Sequence, residues 1–385
     1  MKFLNWNKTI GWLMMLLVSS CVEPYSPEVL EGPNSYLVVN GFINTNGPTT
    51  VQLIRTQNLK DETPPPAEIN AIVQIESEEG ENYRLWGTGN GNYTSSNLEL
   101  NPASKYRLYI RTAIGKEYAS EYVTVKRTPA IDEITWEPID DEVQVYVNTH
   151  DPNNDTRYYR WEFEETWHYR AAFGTGLKYV NGKIELRDRN DPDIYNCWTS
   201  DNSTTIELGT SIRLTQDVIS NYKLTAIPYD SEKIAIKYSI LVKQYALTRE
   251  AYAYWETLKK NTENIGTLFD PLPSQLTGNI KSLSDPNEPV IGYVTASTMQ
   301  QKRIFIGYEE LPREWKTFIP RCSIDTMLLA ISTPREYFEG GYVMPVYEVY
   351  PPEGGGMFPI GYSYATVDCV DCRTRGTNVK PDFWE

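Results

Sequence analysis

Residues 157–169 read "RYYRWEFEETWHY". Large rings recur at alternate positions, Tyr159, Trp161 and Phe163, then Trp167 and Tyr169. Tyr158, Arg160, Glu162, Glu164, Thr166 and His168 fall on the other parity. A strand sends successive side chains to opposite faces, whereas a helix would scatter these rings around its circumference. The stretch is therefore a strand with one face in a core and the other wet or interfacial.

Upstream, "EVQVYVN" puts Val143, Val145 and Val147 on one face in the same way. Before it come "YLVVNGFI", "TVQLIRTQ", "AIVQIE", "NYRLW", "KYRLYIR" and "EYVTVK", parted by Gly, Asn, Pro or acidic turns. In "KYRLYIR", Tyr106, Leu108 and Ile110 alternate with Lys105, Arg107, Tyr109 and Arg111. "DETPPPAE" (61–68) is a stiff polar excursion between strands. Short strands at this spacing predict a mainly β protein built of immunoglobulin-like, fibronectin-like or transthyretin-like sandwich units. Pro129, in "KRTPAIDE", interrupts the strand pattern. It divides a first sandwich, 36–128, from a second β-rich unit, 129–308.

Downstream, Arg170 to Ser200 is polar and rich in Asp, and reads as a long insertion in the second unit. "KYSILVKQYALT" returns to strand. The period then changes: Ala251, Trp255 and Leu258 recur at i, i+4 and i+7, predicting one amphipathic helix over 249–261 with Thr248 as N-cap. "PVIGYVTAS" and "KRIFIGY" are further strands of the second unit. Residues 309–385 read as an irregular region packed on it, with "YPPEGGGMFP" as an exposed loop. No repeat of fixed period is present.

The amino terminus carries an export signal. Lys2 and Lys8 precede a short apolar core, Ile10 to Val18, far below the ~20 residues a spanning helix requires. Val18-Ser19-Ser20-Cys21 then fits the bacterial lipobox: a branched aliphatic, two small residues and a cysteine. Residues 1–20 are expected to be removed and Cys21 to be acylated. Triple acylation at about 0.8 kcal/mol per buried methylene gives a firm bilayer anchor. Residues 21–35, with prolines and glutamates and no periodicity, form a tether.

Net charge is -15 over 385 residues, with no basic block, which disfavours nucleic acid as a partner. Two histidines leave little for metal or general-base chemistry. Aromatics reach 12%, a composition suited to sheet faces and contact surfaces. Asp151, Asn153, Asp155 and Glu162 fall at the first, third, fifth and twelfth places of a calcium loop. Thr156 stands where that loop needs glycine, however, and Glu162 lies in a strand, so an Asp-Pro turn is the simpler reading. Neither a nucleophile elbow, a zinc-protease helix, a P-loop nor a dinucleotide glycine pattern is present. We therefore expect no catalytic residues, no metal and no cofactor, although a glycosidase-like carboxylate pair would not show in spacing.

Four further cysteines remain: Cys197, Cys322, Cys369 and Cys372. "CVDC" lies in a Gly- and Arg-containing tail, not at a helix start after a strand, and export favours disulfides over zinc. Four cysteines allow three pairings. The expectation is Cys369 with Cys372 and Cys197 with Cys322.

The chain resembles a family of Bacteroidota outer-membrane lipoproteins, domain of unknown function 4249. The resemblance rests on "CVEPYSPE", "LVVNGFI", "RYYRWEFEETW", "NCW", "YSILVKQYALTREAYAYWETLKKNTENIGTLFDPLPSQLTGNI", "PVIGYVTAS", "KRIFI" and "CVDCRTRGTNVKPDFWE". It implies an outer-membrane lipoprotein, often encoded beside a TonB-dependent receptor, with no established enzymatic activity. The acidic Glu23, just after Cys21, gives the expectation that it faces the cell surface. The expected function is a non-catalytic accessory or substrate-capture partner of such a receptor. A stand-alone glycan- or protein-binding adhesin is the alternative, and a carboxylate hydrolase the third reading. The expected contact segments are the 170–200 insertion and the loop from Tyr350 to Phe358, flanked by Tyr347, Tyr350 and Tyr362.

Overall fold

Alternation in the sequence becomes alternation in burial: Tyr106, Leu108 and Ile110 are fully buried, as are Val143, Val145 and Val147. The structure is a computed structural model describing residues 35–57, 61, 63–263, 276, 278–315, 318, 321–352 and 356–384. The expected export signal, Cys21 and the expected tether up to residue 34 lie outside the described residues.

The first unit holds β1 (Leu37–Gly41), β2 (Ile43–Asn44), β3 (Asn46–Arg55), β4 (Ile72–Ser77), β5 (Asn82–Gly89), β6 (Asn92–Glu99), β7 (Lys105–Arg111), β8 (Glu117–Ser120) and β9 (Val123–Lys126). Leu37, Ile43, Leu53, Val73, Ile75 and Leu108 are among its core residues. The second holds β10 (Ile131–Ile139), β11 (Glu142–Asp151), β12 (Tyr158–Arg170), β13 (Leu177–Val180), β14 (Lys183–Leu186), β15 (Asn196–Asn202), β16 (Glu207–Thr210), β17 (Asp217–Pro228) and β18 (Lys237–Ala246). Helix α1 (Arg249–Glu263) follows, then β19 (Ile280–Ser282), β20 (Val290–Ile291), β21 (Ala296–Ser297) and β22 (Met299–Gly307).

The units are not consecutive stretches of chain. The first sheet runs β2-β21-β9-β7-β4-β5-β6-β3-β1-β20, with β8 beside β7 and β19 beside β8. Residues 280–297 thus belong to the first unit, which corrects the expectation that all of 129–308 belongs to the second. Parallel pairs need distant segments: Leu37 faces Val290, and Ala296 lies between Ile43 and Val125. Sheet edges otherwise present unpaired N–H and C=O groups, and these returning strands cover them.

In the second unit, β10-β11-β17 packs against a sheet ordered β15-β12-β18-β22, with β16 also on β12. Tyr159, Trp161 and Phe163 point into the core shared with Val143, Val145 and Val147. Trp161 donates its indole N–H to Gln244 Oε1 at 2.8 Å and stacks on Tyr222 with centroids 4.6 Å apart. Glu165 also falls on this inward parity and is 6% exposed. It interrupts the aromatic series that the sequence presents.

Helix α1 begins at the expected cap, where the Ala251 N–H donates to Thr248 Oγ1 at 3.2 Å. Its buried residues are Ala251 and Tyr254. Trp255, expected in the buried stripe, is half-buried instead and carries the Arg160 guanidinium 3.8 Å from its ring centroid. Tyr254 packs on Tyr293, which lies between the returning strands β20 and β21, with ring centroids 5.1 Å apart.

The carboxyl-terminal region is also more regular than expected. It contains β23 (Asp325–Leu328), α2 (Pro334–Phe338), β24 (Val343–Val349), β25 (Gly361–Thr366) and α3 (Val367–Val370). The strands form an antiparallel sheet ordered β23-β25-β24. The 170–200 insertion likewise contains the β13–β14 hairpin and the beginning of β15, which pairs with β12.

Candidate contact surface

The carboxyl-terminal module owes its position to "CVDC". Cys197 is bonded to Cys372, and Cys322 to Cys369, with Cα separations of 5.8 and 5.9 Å. This corrects the expected pairing of Cys369 with Cys372 and of Cys197 with Cys322. The physical reason is a change of path between the two cysteines. Cys369 lies in α3, beside Val346, Ala365 and Cys322. The helix stops at Val370, and the Asp371 carboxylate caps the next turn by accepting the Arg373 N–H at 3.0 Å. Cys372 therefore turns toward Tyr169, Ala171 and Cys197 on the second sandwich. Its N–H donates to Ile194 O at 2.8 Å, and its carbonyl accepts from the Tyr169 hydroxyl at 2.7 Å. One short segment fastens the module to the sandwich and closes the module itself.

The insertion helps to hold the module. Thr175 donates its hydroxyl to Pro345 O at 2.8 Å, and Ile194, Ala172 and Phe173 enter the small core containing Val346. Tyr179 packs on Phe338 of α2, centroids 5.8 Å apart. This expected contact segment is thus largely a support.

The other expected segment projects. Register places Leu328 and Val349 on either side of Gly361, and Leu329 and Val349 each bond to Ile360. Leu328, Leu329, Tyr350 and Ile360 therefore meet at one end of the small sheet. Met357 and Phe358 lie just before that end, 89% and 81% exposed. Ile331, bonded back to Leu328 O, is 82% exposed. Tyr347 and Tyr350 are exposed, whereas Tyr362 is half-buried between Met327 and Glu348. Residues 353–355 of the expected loop lie outside the described residues. The Tyr350 hydroxyl donates to Glu348 at 2.6 Å, and that bond raises its pKa above the ordinary tyrosine value.

Exposed large apolar side chains gathered at one end of a sheet are a candidate contact site. Sequence reading found Tyr347, Tyr350 and Phe358 but missed Leu328, Leu329 and Ile331. Their signal was "LLAIS", an apolar run without strand alternation in a segment otherwise polar.

The remaining sequence candidates are not brought together. The Asp151 carboxylate accepts the N–H groups of Asn153, Asp155 and Thr156 at 3.0, 3.0 and 2.9 Å. Burial pushes its pKa up, but these bonds outweigh burial and hold it below the ordinary value. Glu162 instead accepts from the Tyr245 hydroxyl at 2.8 Å, on the outer face of the sheet. Between β16 and β17 lies a cleft of about 570 Å³, bordered by Leu208, Val218, Tyr222 and Tyr252. No helix among the described residues is long and apolar enough to cross a membrane.

These features define a mainly β protein of two interleaved sandwich units with a disulfide-fastened module displaying an apolar end. Residues 22–303 match the family described as a domain of unknown function, DUF4249, and the chain belongs to that family. The module lies beyond the matched residues. No curated protein matches the chain. Among solved structures, it is similar to a segment of two fibronectin type III domains from chicken tenascin. That similarity has 9% identity over 54% of this chain and 90% of that one, with a TM-score of 0.16. A DUF4785 family protein from Legionella pneumophila gives 7% identity over 54% of this chain and 52% of that one, with a TM-score of 0.18. Scores this low carry no argument, and the fold rests on the strand topology.

Proposed function

We propose that the protein is a non-catalytic Bacteroidota outer-membrane lipoprotein, anchored through acylated Cys21 and facing the cell surface, that works by contact. Its partner in this reading is a TonB-dependent receptor, whose outer face it caps or for which it captures substrate. The observation that carries contact is the apolar end formed by Leu328, Leu329, Ile331, Met357 and Phe358. Two disulfides and the insertion give that end a firm base, so fewer side-chain and loop motions are lost on docking. The lipobox sequence supports the anchor, and the family resemblance supports the choice of receptor.

The test is affinity purification of the full chain from native membranes after crosslinking. Wild-type protein should recover a TonB-dependent barrel. A variant with Tyr350→Ala and Phe358→Ser should keep its melting temperature, since both side chains are exposed, yet lose the barrel. Failure to recover any such receptor after crosslinking would overturn this reading and leave the free adhesin.

A further inference from the structure

Strand β5 changes partners along its length. Residues Asn82–Leu85 pair with β4, whereas Trp86 and Gly87 pair with β6. Trp86 stands at the crossing and is 60% exposed. The Arg84 guanidinium lies 4.3 Å from its ring centroid. Two residues apart on a strand, Arg84 and Trp86 share a face. Opposite Arg84 lies Gln74, which in turn faces Tyr109. Opposite Trp86 lies Thr94, whose hydroxyl meets that of Thr50 at 3.0 Å.

The charge around this ring is unbalanced. The neighbouring carboxylate, Glu76, is already engaged by Arg107 at 2.6 Å and by Gln74 at 3.0 Å. Among the described residues, Arg84 has no carboxylate within ion-pair distance. The chain has 51 acidic and 36 basic residues, so an exposed, uncompensated guanidinium is a local exception to a surface that repels anions. An indole face accepts apolar C–H surface, while hydroxyl, amide and guanidinium groups around it accept a polar perimeter. An aliphatic peptide side chain would leave that perimeter unused. A pyranose ring supplies both surfaces, and a carboxylate on the sugar supplies the partner that Arg84 lacks.

We propose that the Trp86 corner binds an acidic polysaccharide. A sugar ring lies on the open face of Trp86, its hydroxyls reach Thr94 and Thr50, and a carboxylate of that ring or its neighbour meets Arg84. The site is separate from the apolar end of the carboxyl-terminal module and does not depend on the receptor reading.

The test is native electrophoresis of the full chain in detergent, through gels containing polygalacturonate or neutral dextran. Polygalacturonate should retard the protein at low salt, less so at high salt, and dextran should not. Trp86→Ala should weaken affinity by about tenfold, the scale of one lost stacking contact. Arg84→Gln should weaken it and remove much of the salt dependence. Both residues are exposed, so melting temperature should be unchanged in each variant. Phe358→Ser should bind polygalacturonate as wild type does. Absence of retardation, equal retardation by dextran, or full binding by Trp86→Ala would each overturn the proposal.

Discussion

Glu165 and Tyr238 share a hydrogen bond of 2.7 Å inside the second sandwich, where the tyrosine hydroxyl donates to Glu165 Oε1. Lys233 approaches the other carboxylate oxygen at 2.6 Å. A carboxylate on the inward parity of β12 is thereby satisfied on both oxygens. Removing it should leave a buried hydroxyl and an ammonium without their acceptor. Glu165→Leu should cost about 1–3 kcal/mol in urea unfolding, the usual penalty for orphaning a buried polar group. Glu165→Gln, which keeps an acceptor for Tyr238, should cost less. Equal losses would show that the bond to Tyr238 does not matter.

Burial and the nearby carboxylate raise the pKa of Tyr238 well above the ordinary value, and burial pushes Tyr254 up to about 12. An unfolded tyrosine ionises near pH ~10. The folded state therefore holds its proton where the unfolded state releases it. The associated stability is fully present below that pH and falls as pH rises toward the folded values. Melting temperature should be insensitive to these groups from pH 8 to about 10 and decline above it. Tyr254→Phe should make the decline shallower, and an unchanged slope would count against a buried, protonated Tyr254.

Phe163 and Glu164 are neighbours on opposite faces of β12. Phe163→Ala should cost about 3–5 kcal/mol, as truncation of a core aromatic does. Glu164→Ala, at the surface beside Arg303, should cost less than about 1 kcal/mol. Thermal or denaturant melts that rank the two equally would contradict the assigned faces.

Non-reducing peptide maps of exported protein should recover Cys197 linked to Cys372 and Cys322 linked to Cys369. Thiol labelling under denaturing conditions should find neither pair free. Replacing both members of either pair by Ser should cost about 2–4 kcal/mol. A peptide closed on itself by Cys369 and Cys372 would refute the arrangement.

Cys21→Ala should move the protein to the soluble fraction or stall it as precursor. Normal processing with unchanged membrane fractionation would exclude acylation at this position.

Much of the sheet structure was legible because alternation is local. Tyr106, Leu108 and Ile110 announce their face, and so do Val143, Val145 and Val147. Strand β6 was not legible: it turns Tyr93, Ser95 and Leu98 inward, and a buried serine looks like a turn residue in sequence. Ser95 is buried because its hydroxyl accepts the Thr49 N–H at 2.9 Å. Glu165 was passed over for the same reason, since its partners lie 68 and 73 residues away. The pairing of cysteines and the membership of residues 280–297 are long-range facts that local periodicity does not encode. At the apolar end, Tyr350 and Phe358 drew notice as ring-bearing loop residues. The contribution of Leu328 and Ile331 required knowing which strands pair.

The return of β19, β20 and β21 to the first sheet sets an order of events during synthesis. Domains generally fold amino terminus first as the chain emerges. Here the leading sandwich cannot complete its sheet until residue 297 has been made, after most of the second unit. Until then β1, β2, β8 and β9 keep open edges, the kind of surface that recruits strands from other chains. The newborn chain therefore needs protection from stray strand pairing until residues 280–297 have been made. A fragment cut at residue 128 would inherit those open edges permanently and should aggregate.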